Sequence, residues 1–438
     1  MIVINFTNYP FYPVAENYET GGGVVTPLVK VVYQIEEDGT LTPLPFEEQP
    51  EPSGDVAHED DIGNSLKSSN DAVAWKPKAD FIVNATCYPP AKQRGNRCRA
   101  RISLDKKRKD VAVFGRRYWE IDQLGGWRIS APEPLEPTPI RWEYSFGGVS
   151  FEDNPFGLGA DADPYSEPED PVYSLPRIED PRNLISKPTD CPVPAGFGPV
   201  AESLPRRAQK AGTQDYRWQL FEAPNPPRDF DPTYFNAAPD DQQFEDIAGY
   251  EMLSFENLHP EHAVFRVKLP DVRPRLFYVL DGDEERTLRD LPLKLDTVQA
   301  DLNDGQVKLI WRGWLEHEFD ELEKSLNYFH LVEEKASGPF QPASDYHPAF
   351  MEAIPSHEEA IKIDNLTPED VEAEYFPQLM AQAVQALSDA GAPTEMIDRI
   401  KASSNSDELV KESQKIFDEQ KQVVNDLVAE VKSKYDVS

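Results

Sequence analysis

Carboxylates and aromatics crowd together most densely between Pro226 and Gln243, in the run PPRDFDPTYFNAAPDDQQ. Asp229, Asp231, Asp240 and Asp241 stand beside Phe230, Tyr234 and Phe235. Two carboxylates flanking a cleft can hydrolyse a glycoside, one as acid and the other as base or nucleophile. Aromatic faces such as those of Trp142, Trp218, Tyr234 and Phe235 can stack sugars. One function class is therefore a β-sandwich hydrolase of carbohydrate, using Asp229 or Asp231 with another carboxylate. The competing explanation is ordinary: carboxylates beside Pro and Asn form turns and cap helices. With 79 acidic residues in the chain, such proximity arises by chance.

Other chemistry is thinner. His259 and His262 have an i, i+3 spacing, but Pro260 lies between them and a strand follows, which predicts a turn rather than a metal-ligating helix. Glu316-His317-Glu318 alternates at a strand and is not HExxH. Gly21-Gly22-Gly23 precedes a strand and lacks the Gly-Lys-Ser/Thr of a phosphate loop. Cys191 sits in Asp190-Cys191-Pro192 with nothing nearby in sequence to activate a thiolate. No GxSxG occurs. Neither a metal nor a cofactor is expected.

A second set of residues points to recognition. Arg141, Arg206, Arg207, Arg217 and Arg228 stand out against an acidic background. Arginine can tie loops together through bidentate pairing with carboxylates, and it is enriched with Trp and Tyr at interface hot spots. Both roles are open. The candidate partner-binding residues are Trp142, Arg207, Trp218, Arg228, Phe230, Tyr234 and Phe235, with Leu409, Ile416 and Val423 in the tail.

The elements that must position these residues follow from pattern. Residues 1 to about 145 read as short strands: Thr26 to Ile35, a turn at Glu37-Asp38-Gly39, then Ala79 to Cys87 and Asp110 to Phe114. Cys98 to Leu104 alternates, with Arg99 and Arg101 on one face and Ala100 and Ile102 on the other. From Trp142 to about 245 glycine, proline and aromatics dominate and helical period is lost. Disordered chains are poor in aromatics, so this block is expected to be ordered, and long ordered loops are usually functional. Strands resume from Met252 to Trp314. The fold class expected is mainly β, sandwich or barrel-like with long ordered loops, plus an α-helical C-terminal hairpin. The domain reading is a β-rich body over 1–335, a linker over 336–360 and a helical tail over 361–438. In the tail, Thr367-Pro368-Glu369-Asp370 opens a helix, and Leu409, Ile416 and Val423 repeat every seven residues in a second one. That apolar stripe must pack on its own body or on a partner.

Composition narrows the partners. The formal net charge is -35, from 44 basic and 79 acidic residues in 438. Such a charge opposes nucleic-acid backbones and anionic membrane surfaces. Three cysteines without CxxC spacing do not make a disulfide framework. The N-terminus lacks the basic and apolar regions of a signal peptide. A cytoplasmic protein is expected.

The ordered series SFGG, NPFGLG, LPRIEDP, PAGFGPV, PRRAQKAGTQDYRW and PPRDFDPTYFNAAPDDQQ, followed by Gly249-Tyr250-Glu251 and Glu256-Asn257-Leu258-His259-Pro260, resembles a known family. It is the adaptor family of bacterial type VI secretion catalogued as domain of unknown function 2169. Further matching signals are Ser65-Leu66, Lys76-Pro77-Lys78-Ala79-Asp80, Phe114-Gly115-Arg116-Arg117-Tyr118-Trp119, Leu295-Asp296-Thr297-Val298 and Trp311-Arg312-Gly313. The resemblance covers roughly residues 20 to 320. It departs at Arg116, where an acidic residue is usual, and at Asn84-Ala85-Thr86, where Gly-x-Ala is typical. The resemblance implies a non-enzymatic cytoplasmic adaptor or chaperone. Its partners would be an effector toxin, a PAAR-like spike-tip protein, or both, with the VgrG spike as a further candidate.

Overall fold

The computed structural model describes residues 2–17, 23–59, 65–90, 95–162, 172–221, 223, 226–280, 287–317, 326–353 and 394–404, with Met380, Val384, Lys411 and Lys415 besides. In chain order, the strands that build the body are β1 (Ile2–Asn5), β2 (Phe11–Asn17), β3 (Gly23–Ile35), β4 (Ala79–Asn84), β5 (Arg97–Leu104) and β6 (Lys107–Phe114). After the loop block come β7 (Met252–Glu256), β8 (Val264–Lys268), β9 (Val272–Leu280), β10 (Lys294–Asp301), β11 (Gln306–Arg312) and β12 (Leu326–Lys335). The fold is mainly β, as the strand patterns predict.

Three sheets share one core. The largest runs Gln243–Phe244, β4, β10, β11, β3, β2, and short strands Leu41–Pro43 and Leu315–His317 also pair with β3. Within it β4 and β10 are parallel and the other pairs are antiparallel. The second runs Ile178–Glu179, β6, β5, β7, β8, all antiparallel. The third runs β1, β12, β9, Arg289–Leu291. Each of the three sheets therefore combines strands from before and after the loop block. The shared core includes Val29, Val31 and Tyr33 of β3, Phe81 and Val83 of β4, Ile102 of β5, Phe255 of β7, Leu309 and Trp311 of β11, and Phe329 of β12. β-branched and aromatic residues suit this pleated, two-sided packing.

Two compact units are distinguished, Met1–Ala353 and Ile354–Ser438. The segment expected to be a linker carries a helix, Ala343–Ala353. Its Phe350 is buried with Phe277 and Val332, and Tyr346 packs on the same cluster. Tyr346 also donates its hydroxyl to Glu334 at 2.8 Å. In the second unit the helix Thr394–Lys401 is described. The helices expected over 367–390 and 407–434 lie almost wholly outside the described residues, as do Leu409, Ile416 and Val423. Among the described residues no helix is long and apolar enough to cross a membrane.

Candidate functional site

The main sheet has two unlike faces, set by the period-two alternation of its strands. One face is the apolar core. The other carries Asp80 and Asn84 of β4, Thr297, Gln299 and Asp301 of β10, Arg312 of β11 and Lys30 of β3, all buried, with Lys308 of β11 partly buried beside them. Their register places Asp80 opposite Thr297, Gln299 opposite Lys308, and Asn84 opposite Asp301. Buried charges persist only when paired and hydrogen-bonded, and here each has a partner in the segment that covers the sheet. Asp71 joins Lys30 at 2.8 Å and Lys308 at 2.7 Å. Arg312 pairs with Asp296 at 2.6 Å and donates to the carbonyls of Val73 and Asp71. Lys76 reaches Asp80 and the Thr297 hydroxyl, each at 2.9 Å. Burial alone would raise the Asp71 carboxyl, but the charges of Lys308 and Lys30 and their hydrogen bonds outweigh it and hold it below the usual carboxylate range. Asn84 fits this layer: its amide donates to Lys67 O and to Asp301.

The loop block is laid over the end of the same face. The two Asp80 oxygens accept from Asn236 Nδ2 and the Ala237 N–H, each at 2.9 Å. Gln242 Nε2 donates to the carbonyls of Phe81 and Phe197. The Val83 N–H donates to Phe197 O at 3.1 Å. Trp142 Nε1 donates to Pro199 O at 2.7 Å, and its ring packs with Val200 and Leu204. Arg207 donates to the carbonyls of Val200 and Tyr234. Glu143 binds Arg141 and both the N–H and hydroxyl of Ser65. Arg117 pairs with Glu179, which also accepts from Ile185 N–H. In the SFGG/NPFG turn, Asn154 Nδ2 donates to the carbonyls of Trp142 and Phe146. A Cβ at Gly147 would lie 2.1 Å from Asn154 O, so this turn closes only around glycine.

The candidate residues separate into three groups. Trp142 and Arg207 are buried and brace the block from within, so they are not part of its exposed surface. Phe230, Tyr234 and Phe235 are half-buried and form one edge-packed triad, with ring centroids 5.4–6.0 Å apart. Trp218, half-buried, lies in the short helix Tyr216–Phe221, whose Tyr216 is exposed; Arg228 is exposed. The third group, in the tail, lies outside the described residues.

The carboxylates proposed for hydrolysis are spent on turns. Asp229 accepts from the N–H and hydroxyl of Thr213, and Asp231 from those of Thr233. The backbone hydrogen bond from Thr213, with its hydroxyl, holds the Asp229 carboxyl below its ordinary range. The backbone hydrogen bond from Thr233 does the same at Asp231. His259 Nδ1 accepts from the N–H groups of Glu261 and His262, so that nitrogen serves the expected turn.

Sequence reasoning missed the polar layer and a pocket at its edge. Trp75 and Trp314, with ring centroids 6.1 Å apart, flank a cavity of about 300 Å³ over Lys76, Lys294, Asp296 and Arg312. The available signal was that KPKAD, LDTV and WRG are all motif segments, and these meet here. A profile described as "Uncharacterized protein conserved in bacteria (DUF2169)" matches residues 20–312. The chain belongs to the DUF2169 family. The DUF2169 region thus spans β3, β4, β10 and β11 of the main sheet, its polar layer and the whole loop block, while β2 and Leu315–His317 lie outside it. No curated protein and no solved structure matches the chain.

Proposed function

We propose that this DUF2169 chain is a non-enzymatic cytoplasmic adaptor that helps load an effector toxin and its PAAR-like spike-tip protein onto the type VI secretion spike. The observation that supports it is the construction of the loop block. Its buried motif residues are consumed in bracing, and the side chains left at the surface include the mutually packed rings of Phe230, Tyr234 and Phe235, the half-buried Trp218 and the exposed Arg228. A pre-ordered surface of that kind lowers the ordering cost of association, and Trp, Tyr and Arg are the residues that anchor interfaces. The hydrolase alternative draws less support. A general acid needs a raised carboxyl pKa, and Asp229 and Asp231 are shifted the other way.

The test is co-expression of the full chain with the PAAR-like protein and effector encoded beside its gene, followed by affinity capture and thermal melts. Capture is expected, and Trp218→Ala with Phe235→Ala should weaken it at least tenfold while the variant still folds. Absence of any complex would overturn the reading, as would release of reducing sugar from polysaccharides by the purified chain.

A further inference from the structure

The second sheet turns its other face to solvent, and that face is basic. The alternation that sends Ala100, Ile102 and Leu104 of β5 into the core sends Arg97, Arg99 and Arg101 outward. By register, Arg108 of β6 lies opposite Ser103, Ser103 opposite Ser254 of β7, and Ser254 opposite Arg266 of β8. Lys268 is on the same face, opposite Met252. Six cations (Arg97, Arg99, Arg101, Arg108, Arg266 and Lys268) therefore share this face with three carboxylates, Asp110, Glu256 and Glu179, the last buried at the sheet's edge opposite Ala112. The local balance is +3, in a chain whose total is -35.

The cations are not equivalent. Arg101 is clamped by Asp110 at 2.5 Å and by Glu256 at 3.1 Å, so those two acids are already engaged. Among the described residues Arg97, Arg108, Arg266 and Lys268 have no carboxylate at ion-pair distance, and all four are exposed. Exposed apolar side chains lie among them: Met252 is 40% and Val264 42% accessible. The faces of the sheet also differ in use, since Lys107 and Lys109 reach away from it to Gln243, Asp241 and Gln242 of the loop block.

We propose that this face is a docking surface for an acidic polypeptide segment of a partner protein. The surface is separate from the loop block and does not depend on the secretion reading. Three strand spacings put the backbones of Arg108 and Arg266 about 14 Å apart, which an extended peptide spans between carboxylates four residues apart, at about 13 Å. The Ser103 and Ser254 hydroxyls lie between them as further donors. Charge complementarity selects an acidic partner, and Met252 and Val264 select one that carries apolar side chains as well. A duplex suits the face less. Its charge repeats every ~1.7 Å along the axis, so it extends well past a patch roughly 15 by 20 Å onto an acidic body. A contact of this size is below that of a standard stable interface, so binding should be transient and salt-sensitive.

The test uses the full chain and a short dye-labelled peptide of glutamate and leucine, read by fluorescence anisotropy. Binding is expected at ~50 mM salt and should fall at least tenfold by ~200 mM. Arg108→Glu with Arg266→Glu should lose at least tenfold in affinity with an unchanged melting temperature. Should that variant fail to fold, Arg108→Gln with Arg266→Gln serves, with about a threefold loss expected. Four results would overturn the proposal. These are no peptide binding at low salt, charge-reversed or neutralised variants that bind as the parent does, duplex DNA or phosphatidylserine vesicles binding as tightly as the peptide, and self-association of the chain that the substitutions abolish.

Discussion

Replacing Asp80 by Asn should both destabilise the body and loosen the loop block. Asp80 is fully buried and makes three close contacts, with Lys76 Nζ, Asn236 Nδ2 and the Ala237 N–H, all at 2.9 Å. An amide keeps one acceptor oxygen. Left at the Oδ2 position, it still accepts from Ala237 and Lys76, but the buried ammonium has lost its counter-charge. Breaking a buried pair from one side costs about 3–5 kcal/mol, and the surviving neutral acceptor argues for the lower end, about 3 kcal/mol. For a unit the size of Met1–Ala353 that corresponds to a fall of roughly 4 °C in melting temperature. Adding Lys76→Met removes the stranded charge and should return at least half of the loss, because an apolar group of similar shape replaces an unpaired ion. The assay is thermal unfolding of the parent, both single variants and the double variant, with limited proteolysis between residues 209 and 221 reporting on the loop block. A melting temperature for Asp80→Asn within ~1 °C of the parent would refute the reasoning. So would a double variant no more stable than Asp80→Asn alone.

Three further outcomes are expected. Gly39→Ala should lower stability by more than ~2 kcal/mol, since φ there is +83° and the new Cβ would lie 1.9 Å from Arg266 O; an unchanged melt would contradict the close approach. His330 is buried and stacked on Phe350, and burial pulls its imidazole from the ordinary value down to about 4. The unfolded state then takes up this proton first, so stability is complete above pH ~6.5 and falls by at most about 3 kcal/mol as the pH drops to about 4. The difference between the parent and His330→Leu melts should show that slope, and parallel pH profiles would reject it. Finally, a chain ending at Ala353 should fold, whereas one ending at Lys335 uncovers Phe277 and Val332 by losing Phe350 and should melt lower by about 3–5 kcal/mol; equal melting of the two would show that the helix Ala343–Ala353 is not part of the core.

What the sequence determined by itself is what depends on near neighbours. The alternation of Arg99 and Arg101 against Ala100 and Ile102 assigned both faces of β5, because side chains on a strand alternate whatever else the chain does. The turn at Glu37-Asp38-Gly39 and the order of the loop block were legible for similar local reasons. The tertiary structure decided what depends on distant partners. Trp142 and Arg207 carry the residue types of an interface, yet Pro199, Val200 and Tyr234 enclose them. The helix Ala343–Ala353 contains Pro348 and follows Ser337-Gly338-Pro339, which read as breakers; a short helix gains most of its stability from packing, and burial of Phe350 supplies it. The strand patterns at Lys30, Asp80 and Lys308 carry no sign of which charges they meet. Lys30 and Asp80 are buried and Lys308 partly so because a covering segment, with Asp71 in it, and the loop block close over the sheet, and the partners that make this tolerable lie up to 237 residues away in the chain. Pairing across such separations leaves no periodicity to read, so only the folded chain specifies which charge meets which.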